Sequence, residues 1–315
     1  MTTLPYFSAE VIFAAVRPRD AVETIEAALV SGFDPTIDPE RAVVPTAHGQ
    51  ILLMPSEVGP AVGVKIVTVA PANLERGLPR IQGTYVLFDG ETLTPVAILD
   101  GAALTTVRTP AVSVAAVKSV LLGRDAPLEM VVFGAGPQGA GHVATVASVL
   151  EGRRPLGGLT YVVRKPEAVD RGLAGGAAVV AAGSAAASKA VRRAGLVVCA
   201  TTARTPLFDG AEVADDAVII AVGSHEPTVR ELDGLLLRRA DVIVEHPTPA
   251  LREAGDVILA ISEGGISVGD LISMADVVAG RTRLGGDRPV VFKSTVMSWE
   301  DVVIARTIVE RRSDG

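Results

Sequence analysis

A parallel, doubly wound α/β sheet is the architecture this sequence predicts for most of its length, on three observations. Val, Ala, Ile and Leu dominate a chain that is only 3% aromatic, as in strands covered by helices on both faces. Short apolar runs recur at 130–133, 159–163, 179–182, 196–200, 218–222 and 242–244, separated by helix-length segments, the pattern of strand–helix–strand crossovers. The first run leads directly into Gly134-Ala135-Gly136-Pro137-Gln138-Gly139 and then a helical stretch to Leu150.

The elements before that core read differently. Ser8 is placed to cap a helix over 9–16, and Pro18 opens a second in which Val22, Ile25 and Leu29 recur at helical spacing before Gly32. Between 41 and 99, short runs alternate with turn signals such as His48-Gly49 and Asp89-Gly90, which predicts a meander of antiparallel or mixed strands. A helix is expected over 109–122, a strand over 290–292, and an amphipathic helix over 299–311 carrying Arg306, Glu310 and Arg311.

Bulk properties narrow the function classes. With 315 residues there is material for two cores. A net charge of −7 argues against nucleic acid or an anionic membrane as partner. The single cysteine, Cys199, fits a reducing compartment and reads as buried packing. His48, His142, His225 and His246 are scattered without metal-ligand spacing, so no metal site is expected. The opening MTTLPYFSAE lacks a basic segment followed by an apolar run. The small-apolar tract over 172–187, preceded by Arg171, is too short and weakly hydrophobic to span a bilayer. A cytoplasmic location is the expectation.

The glycine turn carries the first chemistry. GxGxxG is a weak pattern in a chain with 32 glycines, but a strand before it and a helix after it give it mechanical meaning. Gly134 permits the tight turn, Gly136 lets backbone approach a pyrophosphate, and Gly139 allows close helix–strand packing. With Ala135, Pro137 and Gln138 they form the start of a Rossmann dinucleotide site at a helix N-terminus. After the second strand the chain reads Val163-Arg164-Lys165, without the carboxylate that NAD enzymes place against the ribose 2′-OH. Arg164 and Lys165 are suited to a 2′-phosphate, so NADP(H) is expected over NAD(H), which stays possible. Thr201 and Thr202 after the fourth strand, and Gly223, Ser224 and His225 after the fifth, are expected on the same crevice.

Residues outside that unit carry a resemblance. Arg41 ahead of Ile51-Leu52-Leu53-Met54-Pro55, then Gly63-Val64-Lys65, Leu104-Thr105-Thr106-Val107-Arg108-Thr109, Ala221-Val222-Gly223-Ser224, Arg230-Glu231-Leu232-Asp233, Ala254-Gly255-Asp256 and Phe292-Lys293-Ser294 follow in order over nearly the whole chain. Together they resemble the ornithine cyclodeaminase/mu-crystallin family. The resemblance implies a Rossmann doubly wound parallel sheet plus a discontinuous α+β substrate-binding and dimerisation domain. It places the latter at 1–115 and 289–315, with the nucleotide domain at 116–288. It also implies a homodimer acting on a small molecule, with Ser294 among the cofactor contacts.

The family holds several activities, so membership alone does not select one. Cyclodeaminases carry a carboxylate where this chain has Leu52 and a catalytic aspartate where it has His225. Leu52 cannot pair with the second amine of a diamino acid. A cyclic imine such as Δ1-pyrroline-2-carboxylate or Δ1-piperideine-2-carboxylate suits the altered set, reduced to the L-amino acid. The resemblance assigns Arg41 and Arg108 to the substrate carboxylate, and a guanidinium fork is suited to that task. Lys65 completes the clamp or supplies the proton to the imine, and His225 is the second candidate acid. An alanine-type amino-acid dehydrogenase is the runner-up, an ornithine cyclodeaminase comes third, and an NADPH-binding mu-crystallin-like protein is the non-enzymatic alternative. Where the family usually has a glycine after Phe-Lys-Ser, this chain has Thr295-Val296-Met297. Met297 and Trp299 are expected to reshape the nicotinamide pocket.

Overall fold

Ser8 starts the first helix as expected, its Oγ accepting from the Val11 N–H at 3.5 Å. The structure, a computed structural model, describes residues 3–313 apart from 171, 173, 174 and 285. Its first stretch runs β1 (Tyr6–Phe7), α1 (Ala9–Ala15), α2 (Pro18–Val30), β2 (Ala42–Thr46), β3 (Gly49–Val58), β4 (Ala61–Val69), β5 (Ile81–Asp89), β6 (Pro95–Asp100) and α3 (Gly101–Leu122). Then follow β7 (Leu128–Phe133), α4 (Pro137–Leu150), β8 (Leu156–Val163), β9 (Ala178–Ala181), α5 (Ala185–Arg193), β10 (Leu196–Cys199), β11 (Val218–Ala221), α6 (Gly234–Arg239) and β12 (Asp241–Val244). The chain ends with α7 (Pro247–Glu253), α8 (Gly255–Ser262), β13 (Leu271–Ser273), α9 (Met274–Val278), β14 (Val290–Lys293) and α10 (Trp299–Ser313). Of the small-apolar tract, 173 and 174 lie outside the described residues, as does 171 just before it; its remainder supplies β9 and the start of α5.

One boundary differs from expectation by a full two turns. α3 begins at Gly101, not at 109, because the Asp100 carboxylate accepts from the Ala102 and Ala103 N–H groups at 3.0 and 2.9 Å. Pro110 sits inside this helix, where it removes one backbone donor. Arg108 is therefore a mid-helix residue, and Asp100 is the cap of that helix.

The chain divides into two compact units, Met1–Val112 with Val296–Gly315, and Ser113–Thr295. The return to the first unit comes at 296, where the sequence placed it at 289. Val290–Lys293 is a strand of the second sheet, parallel to both β11 and β12. The first crossing falls at 112/113, inside α3, where 115/116 was expected.

In the first unit a six-stranded sheet runs in the order β1-β6-β5-β4-β3-β2, antiparallel except for the β1–β6 pair. α10 packs on one face of it and against α2, with Trp299 buried against Phe33 at 5.3 Å between ring centres. Arg311 near the other end of α10 meets Asp20 of α2 at 2.7 Å.

The second unit is an eight-stranded, wholly parallel sheet in the order β13-β12-β14-β11-β10-β7-β8-β9. Its strand sequence reverses direction between β7 and β10, the switch point where open α/β sheets bind ligands. Register makes the edge level: Phe133 pairs with Cys199, Cys199 with Ala221, and Ala221 with Lys293. The residues that follow these strands therefore emerge side by side. Val131, Phe133, Val197, Ile219 and Val291 fill the core beneath that edge. No helix among the described residues is long and apolar enough to cross a membrane.

Candidate functional site

In the second unit the glycine turn leaves β7 with Gly134 at φ +100°, a conformation that favours glycine. Gly139 and Gly136 have opposite surroundings. A Cβ on Gly139 would lie 2.1 Å from the Gly134 carbonyl oxygen, whereas a Cβ on Gly136 would meet nothing within 4 Å. Gly139 is thus required for packing, and Gly136 borders open space at the N-cap of α4, where no side chain caps the helix. Such a helix start offers unsatisfied N–H groups and partial positive charge to an anion.

That turn opens onto a cleft of about 840 Å³ lined by Gly134, Gln138, Arg164, Lys165, Thr201, Thr202 and Gly223, among others. The sequence-predicted set is therefore largely brought together, and it fits a dinucleotide. Ala135, Gly136, Pro137 and Gly139 build the turn and the first turn of α4. Arg164 and Lys165, immediately after β8, lie on one side of the turn; Thr201 and Gly223, after β10 and β11, lie on the other. Of the expected contacts, Ala135, Gly136, Pro137, Gly139, Ser224 and Ser294 are not among the cleft-lining residues. Ser224 is buried with its Oγ donating to the Val229 carbonyl at 2.7 Å, and Ser294 is buried with its Oγ donating to Glu245 at 2.6 Å. His225 is exposed on the loop after β11 and is not among the cleft-lining residues.

Three other titratable groups of this unit, His142, Cys199 and His246, are structural. Burial pulls His142 down to about 4, so its ring is neutral, with Nδ1 2.7 Å from the Gln138 carbonyl oxygen. Cys199 is fully buried and desolvation pushes its thiol well up, so it stays protonated. His246 accepts from the Thr248 N–H at the start of α7.

In the first unit the three cations converge on residues 296–301. Lys65 Nζ donates to Asp301 Oδ2 at 2.7 Å, and Arg108 donates to Glu300 Oε2 at 2.8 Å with its Nε 3.5 Å from Asp301 Oδ1. Lys65 and Arg108 are each 2% exposed, and both carboxylates are fully buried. Desolvation lowers Lys65 to about 8 against the opposing pull of Asp301; the Arg108 charge lowers it further. Arg41, half-buried, donates to the Val296 carbonyl at 2.9 Å. Val296 itself sits at φ +67°, a conformation that costs a β-branched residue roughly 1–3 kcal/mol. The glycine that the family resemblance leads one to expect in this segment has a backbone reason there. Met297 and Trp299 are buried within the first unit.

Glu300, Asp301 and Asp38 were not singled out from sequence. Asp38 accepts from Ser56 Oγ at 2.5 Å and from the Ser298 and Trp299 N–H groups at 2.9 and 3.2 Å, capping α10 from another segment. Burial raises its carboxyl to about 6 against those hydrogen bonds. An acidic pair in the first turn of a helix reads as dipole compensation on a solvated end. Its signal here was the buried lysine and arginine that needed partners.

With this geometry in hand, comparison with known proteins is decisive at the family level. The model of the ornithine cyclodeaminase/mu-crystallin family matches residues 8–315. The chain belongs to that family. A family relative from Colwellia psychrerythraea, Delta(1)-pyrroline-2-carboxylate reductase, is 31% identical over 276 residues, covering 85% of each chain. The Delta(1)-pyrroline-2-carboxylate/Delta(1)-piperideine-2-carboxylate reductase of Azospirillum brasilense is 31% identical over 280 residues, covering 86% of this chain and 84% of that protein. Among solved structures, Thermococcus litoralis Delta(1)-pyrroline-2-carboxylate reductase, in complex with NADH and L-proline, superposes with a TM-score of 0.83 at 25% identity, covering 99% of this chain and 98% of that one.

The contrast between the two glycines gives a paired test. Gly139→Ala is expected to destabilise the protein by about 1–3 kcal/mol through backbone overlap, read from urea unfolding. Gly136→Ala is expected to leave unfolding within about 0.5 kcal/mol while weakening the binding of a reduced nicotinamide dinucleotide in a fluorescence titration. Equal effects on both readouts would remove the phosphate-cradle assignment.

Proposed function

We propose that this chain reduces a small cyclic imino acid, Δ1-pyrroline-2-carboxylate or Δ1-piperideine-2-carboxylate, to the L-amino acid with a reduced nicotinamide dinucleotide as hydride donor. The observation that carries the reading is the buried Lys65–Arg108 pair on the sheet face that also bears Leu52. Met54 of β3 pairs with Lys65 of β4 and Leu52 with Val67, so Leu52 lies on the same face as Lys65, two residues along β3 from Met54. A substrate with one carboxylate finds cations there. The second ammonium of a diamino acid would find an apolar side chain in place of an acid.

Arg41, Lys65 and Arg108 hold and orient the substrate carboxylate, and Glu300 and Asp301 fix the geometry of the two buried cations. A bound reduced nicotinamide supplies the hydride to the ring carbon. Lys65, still protonated at neutral pH with its value near 8, gives its proton to the ring nitrogen and is the first candidate acid; His225 is the second. The activities of the relatives named above support this reading. NADP(H) is the preferred form, on the strength of Arg164 and Lys165 following β8 with no carboxylate at the strand end. A reducing, cytoplasmic setting fits the single buried cysteine.

The test is cofactor oxidation followed spectroscopically with five- and six-membered cyclic imino acids, with NADPH and NADH compared. Removing Arg108 would strand a buried carboxylate at a cost of about 3–5 kcal/mol, so Arg41→Ala is the cleaner probe. It is expected to raise KM by roughly tenfold or more with a smaller change in kcat. Faster turnover of pyruvate with ammonia than of either imine would move the assignment to an amino-acid dehydrogenase.

The pH profile tests the acid. A lysine lowered to about 8 holds its proton below that value and loses it above. The rate with NADPH is therefore expected to fall as pH rises through about 8. A profile that stays flat well beyond that pH would exclude Lys65 as the donor.

A homodimer is part of the proposal. Val44, Ile51, Leu53 and Ile66 are cross-strand neighbours or near neighbours on the sheet face opposite Lys65, and Val44, Leu53 and Ile66 are 45%, 36% and 37% exposed. An apolar face of this kind is what a second copy would cover. Light scattering should report a dimer for the native chain and a monomer for Leu53→Glu with Ile66→Lys. A native monomer would end this part of the reading.

A further inference from the structure

A charged residue with no exposure sits behind one half of the dinucleotide cleft. Glu231 is 0% exposed, and its carboxylate accepts hydrogen bonds from two strand-exit loops. Oε1 accepts from the Thr201 N–H at 3.0 Å and the Thr201 hydroxyl at 2.6 Å; Oε2 accepts from the Gly223 N–H at 2.7 Å. Thr201 follows β10 and Gly223 follows β11, and both line the cleft. The loops are close enough that a Cβ on Gly223 would lie 2.0 Å from the Thr201 carbonyl oxygen and 2.6 Å from Glu231 Oε1. The carboxylate is therefore wedged between two walls of the site.

Its own position is fixed from behind. The Glu231 and Leu232 N–H groups both donate to Asp256 Oδ1, at 2.7 and 2.8 Å. Asp256 Oδ2 faces Lys293 Nζ at 3.4 Å, and that ammonium donates to the Ser224 carbonyl at 2.7 Å. Burying this many charges is expensive, and a tight turn does not require it. What the carboxylate adds is an acceptor-only group with two oxygens, able to take backbone donors from both loops at once. No neutral side chain of this shape does the same, because an amide would turn a donor toward one of them.

We propose that Glu231 is a positioning residue that sets the spacing of the two walls receiving the nicotinamide half of the cofactor. This rests on the dinucleotide reading of the cleft. The sheet order assigns the half: the glycine turn leaves β7, Arg164 and Lys165 leave β8 on one side, and Thr201 and Gly223 leave β10 and β11 on the other. The pyrophosphate belongs at the turn. A basic pair suits the adenosine phosphate end, so the Glu231-held loops take the nicotinamide end. Loss of Glu231 should thus be felt by one half of the ligand and not by the other.

The experiment measures equilibrium binding by calorimetry for NADPH and for adenosine 2′,5′-bisphosphate, with NADH and AMP as a second pair, in the native protein, Glu231→Gln and Thr201→Val. The expected result is binding of the dinucleotide weakened about tenfold in Glu231→Gln, as for loss of a hydrogen bond to a charged group. The adenosine fragment should stay within about twofold. Thr201→Val, which removes the hydroxyl donor and leaves the buried carboxylate in place, should show the same split at smaller size. It decides the question if Glu231→Gln does not fold. Equal weakening of dinucleotide and fragment, or no weakening of either, overturns the positioning role. Failure of the native protein to bind any of the four ligands overturns the dinucleotide reading itself, which is a separate outcome.

Discussion

Lys65 and Arg108 are withdrawn from water, and much of the first unit is arranged around that fact. A cation without solvent must meet an anion and satisfy its N–H groups, or the fold loses several kcal/mol. Asp301 and Glu300 meet that demand from the first turn of α10, and Asp38 caps the same turn. Trp299 and Arg311 then hold α10 to the rest of the unit through Phe33 and Asp20. Arg41 joins the group through the carbonyl of Val296, whose left-handed backbone stands just ahead of the helix. One short segment, 296–301, thereby orders all three candidate carboxylate ligands.

The second unit meets the same demand with the signs exchanged. Its buried carboxylates, Glu231, Asp256 and Glu245, take backbone and hydroxyl donors at the strand exits, and Lys293 supplies the nearby ammonium. Level register across β7, β10, β11 and β14 is what lets such short side chains bridge separate loops. Family motifs that look unrelated along the chain, around Glu231, Asp256 and Lys293, are therefore one network in space.

Much of this was legible in the sequence because it is local. The glycine turn, the alternation of strand and helix, the meander and the basic pair after β8 are all written within a few residues of one another. The start of α3 was not legible, because four β-branched residues and Pro110 obscure a helix whose capping signal is the single Asp100. β14 was seen as a strand but assigned to the wrong unit, since only its partners β11 and β12 reveal its sheet. The family resemblance supplied Arg41, Lys65 and Arg108. It did not reveal Glu300 and Asp301, since an acidic first turn looks the same whether its carboxylates face water or a buried cation. Ser224 was read as a cofactor contact from its place after β11 and Ser294 from the family resemblance, but side-chain direction turns each hydroxyl inward.

The order of the chain gives the buried ion pairs a bearing on biosynthesis. Glu300 lies 192 residues beyond Arg108, and Asp301 lies 236 residues beyond Lys65, with the whole second unit between them. During translation the meander emerges long before its counter-charges exist, and domains generally fold as units in the order they are made. The nucleotide-binding unit is thus free to close first. Lys65 and Arg108 gain their carboxylate partners Asp301 and Glu300 only once the ribosome has delivered α10.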